Sequence, residues 1–443
     1  MKFFFKILIL FIFLYSCSFD TKTGIWKNDN ITPTIENNSV FKDFVKITSS
    51  DEKFNNIVQI NKTFSFIINE PLRNLSWSQT LLNKENNLVN LSFVNKNQVI
   101  DKSKKISRHT LNENILYEKN KIFLDDQKGN LFIYSLQKKK LIKKLNFYKK
   151  KYKNKKIKLN FIIENDIVFV SDNIGYLYAY DIKTDKVIWA KNNNIPFRSN
   201  LKLSANFLTL ANQNNDLFFF DKKNGKLIKR IPTEETVINN NFENKISLSD
   251  DEVFFLNTYG TLYSVDNNSF NLKWFVNLNK TLEKNTSNLF YGSDVVFYDN
   301  KLLLSSNENF YIINSKNGSV IYKKNFSSYF NPIINNGFVF LLTKNNLLVA
   351  LNLRDGEIIY SYDLAQETAN FLNTKKKNLV IKNILMADDK IFVFLKNSYV
   401  IKLNIYGKIV NIIKLPSKLN TQPIIVDNKL FYINKKNKLL VVN

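Results

Sequence analysis

A short apolar strand that ends in Asp, Asn or Ser recurs eight times between residues 131 and 443, and this repeat limits the fold more than any other feature. The eight segments are LFIYS ending at Ser135, LYAYD at Asp181, LFFFD at Asp221, LYSVD at Asp266, FYIIN at Asn314, LVALN at Asn352, VIKLN at Asn404 and LLVVN at Asn443. Their end residues are 46, 40, 45, 48, 38, 52 and 39 residues apart. Such a period suits a four-stranded propeller blade and exceeds the roughly 34 residues of a helical repeat.

The residues around each of these anchor strands follow a constant pattern. A short strand precedes the anchor, and a tight turn such as Asn317-Gly318 or Asp355-Gly356 follows it, because Asn-Gly and Asp-Gly accept the positive φ of a hairpin. The next strand carries an aromatic residue that we expect to pack between neighbouring blades. These aromatic residues are Trp189, Trp274, Tyr322 and Tyr360.

The repeat predicts an all-β fold, an eight-bladed β-propeller of four-stranded antiparallel blades. Seven blades are complete in sequence, at roughly 111–148, 159–194, 198–232, 242–279, 291–326, 331–364 and 378–415. The eighth has only its last strands, at 421–443, so an N-terminal strand from within 72–106 must pair with it and close the ring. Trp77 and the run around Val99 are both candidates for that strand.

The N-terminus predicts export and lipidation. In residues 1–16, Lys2 and Lys6 flank an apolar run that is too short to cross a bilayer, as expected of a signal peptide. The sequence Leu14-Tyr15-Ser16-Cys17 resembles the lipobox of bacterial lipoproteins, which implies that Cys17 is lipidated; an incidental Cys is the alternative. Ser18 in place of Asp favours the outer membrane. We expect residues 17–71 to form a largely irregular tether, with a short ordered piece near 64–68, and 72–443 to form the propeller.

Composition argues against nucleic-acid binding and against catalysis. The net charge is +26, but only five of the 64 basic residues are Arg, the residue preferred for bidentate phosphate recognition. The single His, His109, has no nucleophile motif beside it, and we expect it on the surface. Asp181, Asp221 and Asp266 occupy one repeated position, which favours acceptors of turn hydrogen bonds over Ca²⁺ ligands. We predict no catalytic residue, no metal and no cofactor.

The stretch from Gly175 to Trp189 is similar to the repeat of pyrroloquinoline-quinone-type β-propellers. With the lipobox and eight repeats, the whole chain resembles the BamB family, the propeller lipoproteins of the outer-membrane β-barrel assembly machinery. The resemblance implies a non-enzymatic scaffold, lipid-anchored in the outer membrane and facing the periplasm. It would dock on the periplasmic domains of the central barrel-assembly subunit, as a monomer within a hetero-complex, and assist folding and insertion of outer-membrane protein clients. A periplasmic quinoprotein or other ligand-binding propeller is the alternative.

The loop Ile195-Pro196-Phe197-Arg198-Ser199 resembles the Leu-x-Leu-Arg-Gly loop of that family. The resemblance implies that Ile195, Phe197 and Arg198 bind the partner, as an exposed apolar pair beside an arginine. Alternatively, the two apolar residues begin the next inner strand and the arginine is solvated. The family also contributes acidic residues from the following connection. Here residues 238–241 are uncharged, and Glu234 and Glu235 lie just upstream without a certain match.

Overall fold

The computed structural model describes residues 18–20, 25–27, 53–148, 152, 154–234, 242–279 and 290–443. The chain divides into two compact units, Met1–Asp51 and Glu52–Asn443. In the first unit, β1 (Ser18–Asp20) pairs antiparallel with β2 (Ile25–Lys27). The predicted signal segment 1–16 and Cys17 lie outside the described residues.

The second unit is an eight-bladed β-propeller in which every blade is a four-stranded antiparallel sheet, as predicted. Blades 1 to 7 each use four consecutive strands. Blade 1 is β4 (Leu116–Glu118), β5 (Lys121–Asp125), β6 (Leu131–Ser135) and β7 (Lys140–Leu145); blade 2 is β8 (Leu159–Glu164), β9 (Ile167–Asp172), β10 (Tyr176–Asp181) and β11 (Lys186–Asn192); blade 3 is β12 (Lys202–Leu203), β13 (Phe207–Ala211), β14 (Leu217–Asp221) and β15 (Leu227–Ile231); blade 4 is β16 (Lys245–Leu248), β17 (Glu252–Leu256), β18 (Thr261–Asp266) and β19 (Leu272–Asn277).

The remaining blades follow the same order. Blade 5 is β20 (Val296–Tyr298), β21 (Lys301–Ser305), β22 (Phe310–Asn314) and β23 (Val320–Lys324); blade 6 is β24 (Ile333–Asn335), β25 (Phe338–Leu342), β26 (Leu347–Asn352) and β27 (Ile358–Asp363); blade 7 is β28 (Ile381–Ala387), β29 (Lys390–Leu395), β30 (Tyr399–Asn404) and β31 (Ile409–Lys414). The helix α1 (Leu364–Leu372) lies between blades 6 and 7. Across the described residues, no helix has the length and apolar character needed to cross a membrane.

Blade 8 closes the ring. It contains β32 (Ile424–Val426), β33 (Lys429–Ile433) and β34 (Leu439–Val442), and β3 (Val99–Lys102) pairs antiparallel with β34 as its fourth strand. Of the two candidates from the sequence, the run around Val99 is therefore the closing strand. Trp77 instead pairs with Tyr117 of β4, through two main-chain hydrogen bonds of 2.8 Å.

The antiparallel order divides the loops between two faces of the disc. A connection from the fourth strand of one blade to the first strand of the next lies at the same end as the turn between second and third strands. We call this end the upper face; it includes residues 193–201 and 343–346. The turns between first and second strands and between third and fourth strands lie at the lower face, for example residues 315–319 and 353–357.

Burial follows strand order within each blade. The first three strands are mostly buried, whereas fourth strands such as β7 (KLIKKL), β15 (LIKRI) and β23 (VIYKK) are mostly exposed or half-buried. Lysines on an exposed strand edge discourage pairing with another chain. Part of the large positive charge is therefore explained by the need to protect the outer edges of the blades.

The predicted packing of aromatic residues between blades is confirmed. The Trp274 indole of blade 4 lies over the turn of blade 5, where its Nε1 donates to the Ser315 carbonyl oxygen at 2.8 Å. A Cβ atom on Gly318 of that turn would lie 2.5 Å from Trp274 Cε3, so only glycine fits beneath the ring. Trp189 covers Gly225 in the same way.

The segment 77–93, which we call the inner coil, runs once around the inside of the ring. Its residues meet the first strands of successive blades, or the turns beside them, in blade order: Trp77 meets blade 1, Ser78 blade 2, Asn83 blade 3, Lys84 blade 4, Glu85 blade 5, Leu88 blade 6, Leu91 blade 7 and Phe93 blade 8. The coil therefore ties all eight blades together from within.

Residues 53–71, assigned to the tether from the sequence, pack along the propeller. Val58 pairs with Ser361 of β27, and the Phe54 amide donates to the Asn325 carbonyl oxygen at 2.9 Å. Phe66 is buried between blades 6 and 7, with its ring centroid 5.5 Å from that of Phe340. The expected ordered piece near 64–68 is thus part of a longer packed segment, and the compact unit that contains the propeller begins at Glu52 rather than at the predicted residue 72.

Candidate protein-interaction site

The loop singled out by the sequence connects β11 of blade 2 to β12 of blade 3 on the upper face. Its backbone is held by three blades. The Phe197 amide donates to the Asp172 carbonyl oxygen at 3.1 Å, and the Arg198 amide donates to that of Ala211 at 2.9 Å. The Arg198 carbonyl oxygen accepts from the Asn244 amide at 2.9 Å. Arg198 therefore projects from a rigid support rather than from a free loop.

The expected exposed apolar pair is not formed, because Phe197 is only 1 % exposed. Its ring packs edge-on against Phe218, with centroids 6.2 Å apart, and belongs to the core between blades 2 and 3. The assignment of Phe197 to partner binding is thus corrected to a packing role, the alternative that the sequence left open. Ile195 and Arg198 are half-buried and reach the surface.

Glu243, in the connection from blade 3 to blade 4, lies within the electrostatic field of Arg198. Its Oε1 accepts a hydrogen bond from Lys158 Nζ. Burial acts to raise the pKa of Glu243, but the positive charges of Lys158, Lys245 and Arg198 outweigh it, and the pKa lies below its ordinary value. Glu243 is therefore ionised and forms a mixed-charge cluster with the arginine.

Glu243 is an acidic residue of this connection that the sequence analysis did not single out. Residues 238–241 and Glu235 lie outside the described residues. Glu234 accepts hydrogen bonds within blade 4, from Thr261 Oγ1 at 2.9 Å and Asn257 Nδ2 at 2.5 Å. Glu243 lies only two residues before β16, so the strand fixes its position. This closeness to a predictable strand is the signal by which the sequence could have identified it.

Exposed tyrosines and a lysine continue this surface across blades 5 and 6. Tyr291 is 41 % exposed and Tyr329 is 56 % exposed, and their ring centroids are 5.4 Å apart. Lys344 Nζ lies 5.4 Å from the first ring centroid and 4.9 Å from the second. We call the whole set the upper-face patch: Lys158, Ile195, Arg198, Glu243, Tyr291, Tyr329 and Lys344. Exposed Tyr and Arg are enriched at protein interfaces.

The described carboxylates do not form a metal centre. No group of three or more His, Cys, Asp or Glu side chains in this part of the chain is placed to hold a metal ion. Asp181, Asp221 and Asp266 instead accept turn hydrogen bonds, for example from the Lys183 amide at 2.7 Å. His109 is exposed.

The eight blades share the same anchor strand, the same kind of turn and the same inter-blade aromatic position. These common features place the protein among the β-propellers built from PQQ-like repeats. The sequence profile of the outer membrane protein assembly factor BamB matches residues 155–362 and 258–443. The chain therefore belongs to the BamB family. No curated protein shows significant sequence similarity to it.

Solved structures of several functions share the fold. BamB from Moraxella catarrhalis is 13 % identical, with a TM-score of 0.61 over 78 % of this chain and 99 % of that one. The computationally designed Ika8 protein is 10 % identical, with a TM-score of 0.59 over 78 % and 99 %. Quinohemoprotein alcohol dehydrogenase from Comamonas testosteroni is 10 % identical, with a TM-score of 0.61 over 84 % and 81 %. At these identities the likeness concerns the fold alone.

Proposed function

We propose that the protein is a non-enzymatic scaffold of the outer-membrane β-barrel assembly complex. It docks on the periplasmic domains of the central barrel-assembly subunit and assists folding and insertion of outer-membrane proteins. The observation that carries this proposal is the rigid anchoring of Arg198 on the upper face, where its carbonyl oxygen accepts from the amide of Asn244, the residue after Glu243, in a chain that belongs to the BamB family. Ile195 and the exposed tyrosines add apolar area next to these charges.

The same proposal includes the location of the protein. Lipidation of Cys17 would anchor it in the outer membrane, with the propeller in the periplasm and the residues before 53 as the tether. Two or more acyl chains are needed for a stable anchor, since each buried methylene contributes only about 0.8 kcal/mol.

The described side chains favour a scaffold over the alternative, a quinoprotein or another propeller with an axial ligand. The upper-face patch offers cations, a carboxylate and aromatic rings without a nucleophile and base pair. A protein partner with both acidic and basic groups would match these charges.

Co-purification from membranes tests the docking surface. We expect Arg198→Glu to abolish or strongly reduce recovery of the central subunit, because the substitution replaces the cation of this loop with a second carboxylate near Glu243. Arg354→Glu makes the same charge change on an exposed residue of the lower face and serves as the matched control. Recovery should match that of the unmodified protein in this control.

The thermal unfolding midpoints of both variants must match that of the unmodified protein, so that loss of recovery reports on binding. A folded Arg198→Glu protein with full partner recovery would remove the loop from the interface. Equal loss in both variants would point to a general charge effect and also count against the proposal.

A further inference from the structure

An insertion on blade 7 creates a cavity that belongs to neither the upper-face patch nor the inner coil. The connection from β27 to β28 contains α1, and it accounts for the longest repeat interval, the 52 residues between Asn352 and Asn404. Asp363 caps the helix by accepting from the amides of Ala365 and Gln366, both at 3.0 Å. Asn373 ends it in a left-handed conformation, with φ of 51°.

The helix covers blade 7 without filling the space beneath it. Its buried positions include the small residues Ala365 and Ala369, and a cavity of about 390 Å³ lies between the helix and strands β29 to β31. Protein interiors leave few voids larger than a water molecule, and small-molecule sites occupy roughly 300–1,000 Å³. The cavity therefore has the size of a ligand site.

The chemistry of the walls indicates an amphiphile. One part is apolar, formed by Leu372, Leu379, Leu395, Ile401 and Ile412, and another part is polar, formed by Thr374, Lys375, Lys377, Asn378 and Asn397. None of the fourteen lining residues, all of them described, is acidic. Lys376, which lies between the two lining lysines, pairs with Asp363 at 2.5 Å. Within the described residues, Lys375 and Lys377 form no ion pair, so the rim carries two cations.

We propose that this cavity binds a single-chain amphiphile with a carboxylate head, such as a long-chain fatty acid. The hydrocarbon chain lies along the leucine and isoleucine wall beneath α1, where burial of each methylene is favourable. The carboxylate lies at the rim beside Lys375 and Lys377, which supply charge-assisted hydrogen bonds. This site is independent of the docking surface around Arg198, so either proposal can fail alone.

The test is saturable binding of dodecanoate to the full-length chain in detergent-free buffer, measured by displacement of a fluorescent fatty acid. We expect dodecanol, which lacks the charge, to bind at least tenfold more weakly than dodecanoate. Lys375→Glu/Lys377→Glu should weaken dodecanoate binding at least tenfold. Lys223→Glu/Lys226→Glu, with the same charge change on exposed lysines of the lower face of blade 3, should leave it unchanged.

A second variant tests the cavity rather than the charge. Ala369→Phe places a ring in the space beneath α1 and should block dodecanoate and dodecanol alike, with no loss of thermal stability. Absence of saturable dodecanoate binding, or equal affinity in the rim variant and its control, would overturn the proposal. Lysine-dependent sedimentation with anionic phospholipid vesicles, without dodecanoate binding, would identify a membrane-surface contact instead and would also overturn it.

Discussion

The side-chain nitrogen of Lys202 lies 2.9 Å from the main-chain carbonyl oxygen of Asn83, which ties the first strand of blade 3 to the inner coil. The same nitrogen lies 2.5 Å from Asn86 Oδ1, and Lys202 is only 1 % exposed. Burial lowers its pKa to about 7, although Asp294 and Glu85 act in the opposite direction. A neutral amine has two N–H donors, which match these two acceptors.

The first prediction concerns the pH dependence of stability. Between pH 7 and the ordinary lysine pKa of about 10.4, the unfolded chain holds a proton that native Lys202 has lost, so this residue makes stability rise with pH. Lys202→Met removes that rise as well as the two hydrogen bonds. We expect the deficit in unfolding free energy to grow by roughly 2 kcal/mol between pH 7.5 and 9.5, since each pH unit contributes at most about 1.4 kcal/mol.

Urea unfolding of both proteins at the two pH values measures this change. Lys186→Met, on the exposed fourth strand of blade 2, is the control and should show no such growth. A deficit of equal size at both pH values would mean that Lys202 stays charged in the folded protein.

The second prediction separates two costs of replacing a turn glycine. Gly318 and Gly337 have nearly the same backbone angle, with φ of 74° and 78°. A Cβ at Gly318 meets the Trp274 ring at 2.5 Å, whereas one at Gly337 meets nothing within 4 Å. Gly337→Ala should cost only the strain of positive φ, about 1 kcal/mol. Gly318→Ala should cost a further 1–3 kcal/mol, roughly, for overpacking against the indole.

Chemical unfolding of the two alanine variants gives the comparison directly. Tryptophan fluorescence should also change in Gly318→Ala and remain unchanged in Gly337→Ala. Equal destabilisation of the two would show that the contact between blades tolerates the extra methyl group.

The third prediction tests whether residues 53–71 belong to the folded propeller. Phe66 is buried between blades 6 and 7, while its neighbour Ile67 is 73 % exposed. Phe66→Ala should lower the unfolding free energy by about 3–5 kcal/mol, as expected for a buried aromatic side chain. Ile67→Ala should change it by no more than about 0.5 kcal/mol. Similar, small effects of both substitutions would mean that this segment does not contribute to the stable fold.

The repeat predicted the blades because every blade buries the same strands and uses the same turn. Periodic apolar segments and Asn-Gly or Asp-Gly turns are local signals, and the anchor strand ending at Asp181 forms as β10 for reasons visible within ten residues of it.

The inner coil has no such signal. Its contacts, such as Ser78 with Ile163, join residues far apart in sequence, and they exist only once the ring has closed.

At the interaction site, too, the local features were predictable from the sequence and the contacts between distant residues were not. The position of Arg198 follows from its loop, which the sequence marked correctly as a connection between blades. The burial of Phe197 depends on Phe218, which lies two strands further along, and a short apolar stretch does not reveal which of its side chains faces the core. The hydrogen bond from the Asn244 amide to the Arg198 carbonyl oxygen, which brings Glu243 near the arginine, likewise depends on the alignment of blades 3 and 4.

The last prediction concerns a carboxylate that joins blades 1 and 2 at the lower face. Asp166 accepts from Lys119 Nζ at 2.9 Å and Lys121 Nζ at 3.1 Å, and Lys183 Nζ lies 3.2 Å away. The pKa of Asp166 lies well below its ordinary value. Lys119 lowers it most, Lys121 and Lys183 lower it further, and burial opposes the shift. Its contribution to stability is present above the unfolded pKa and is lost as pH falls towards the folded pKa.

Asp166→Asn keeps the shape and tolerates the positive φ of 66° at this turn, so it tests the charge alone. We expect a loss of about 1–2 kcal/mol at neutral pH, allowing for solvent around the lysines, and a smaller loss at pH 3. Asp251→Asn, which changes an exposed carboxylate of the turn before β17, is the control and should have little effect at either pH. Unfolding curves at pH 7 and pH 3 measure both. A deficit in Asp166→Asn that does not shrink in acid would show that the charge of Asp166 does not stabilise the contact between blades 1 and 2.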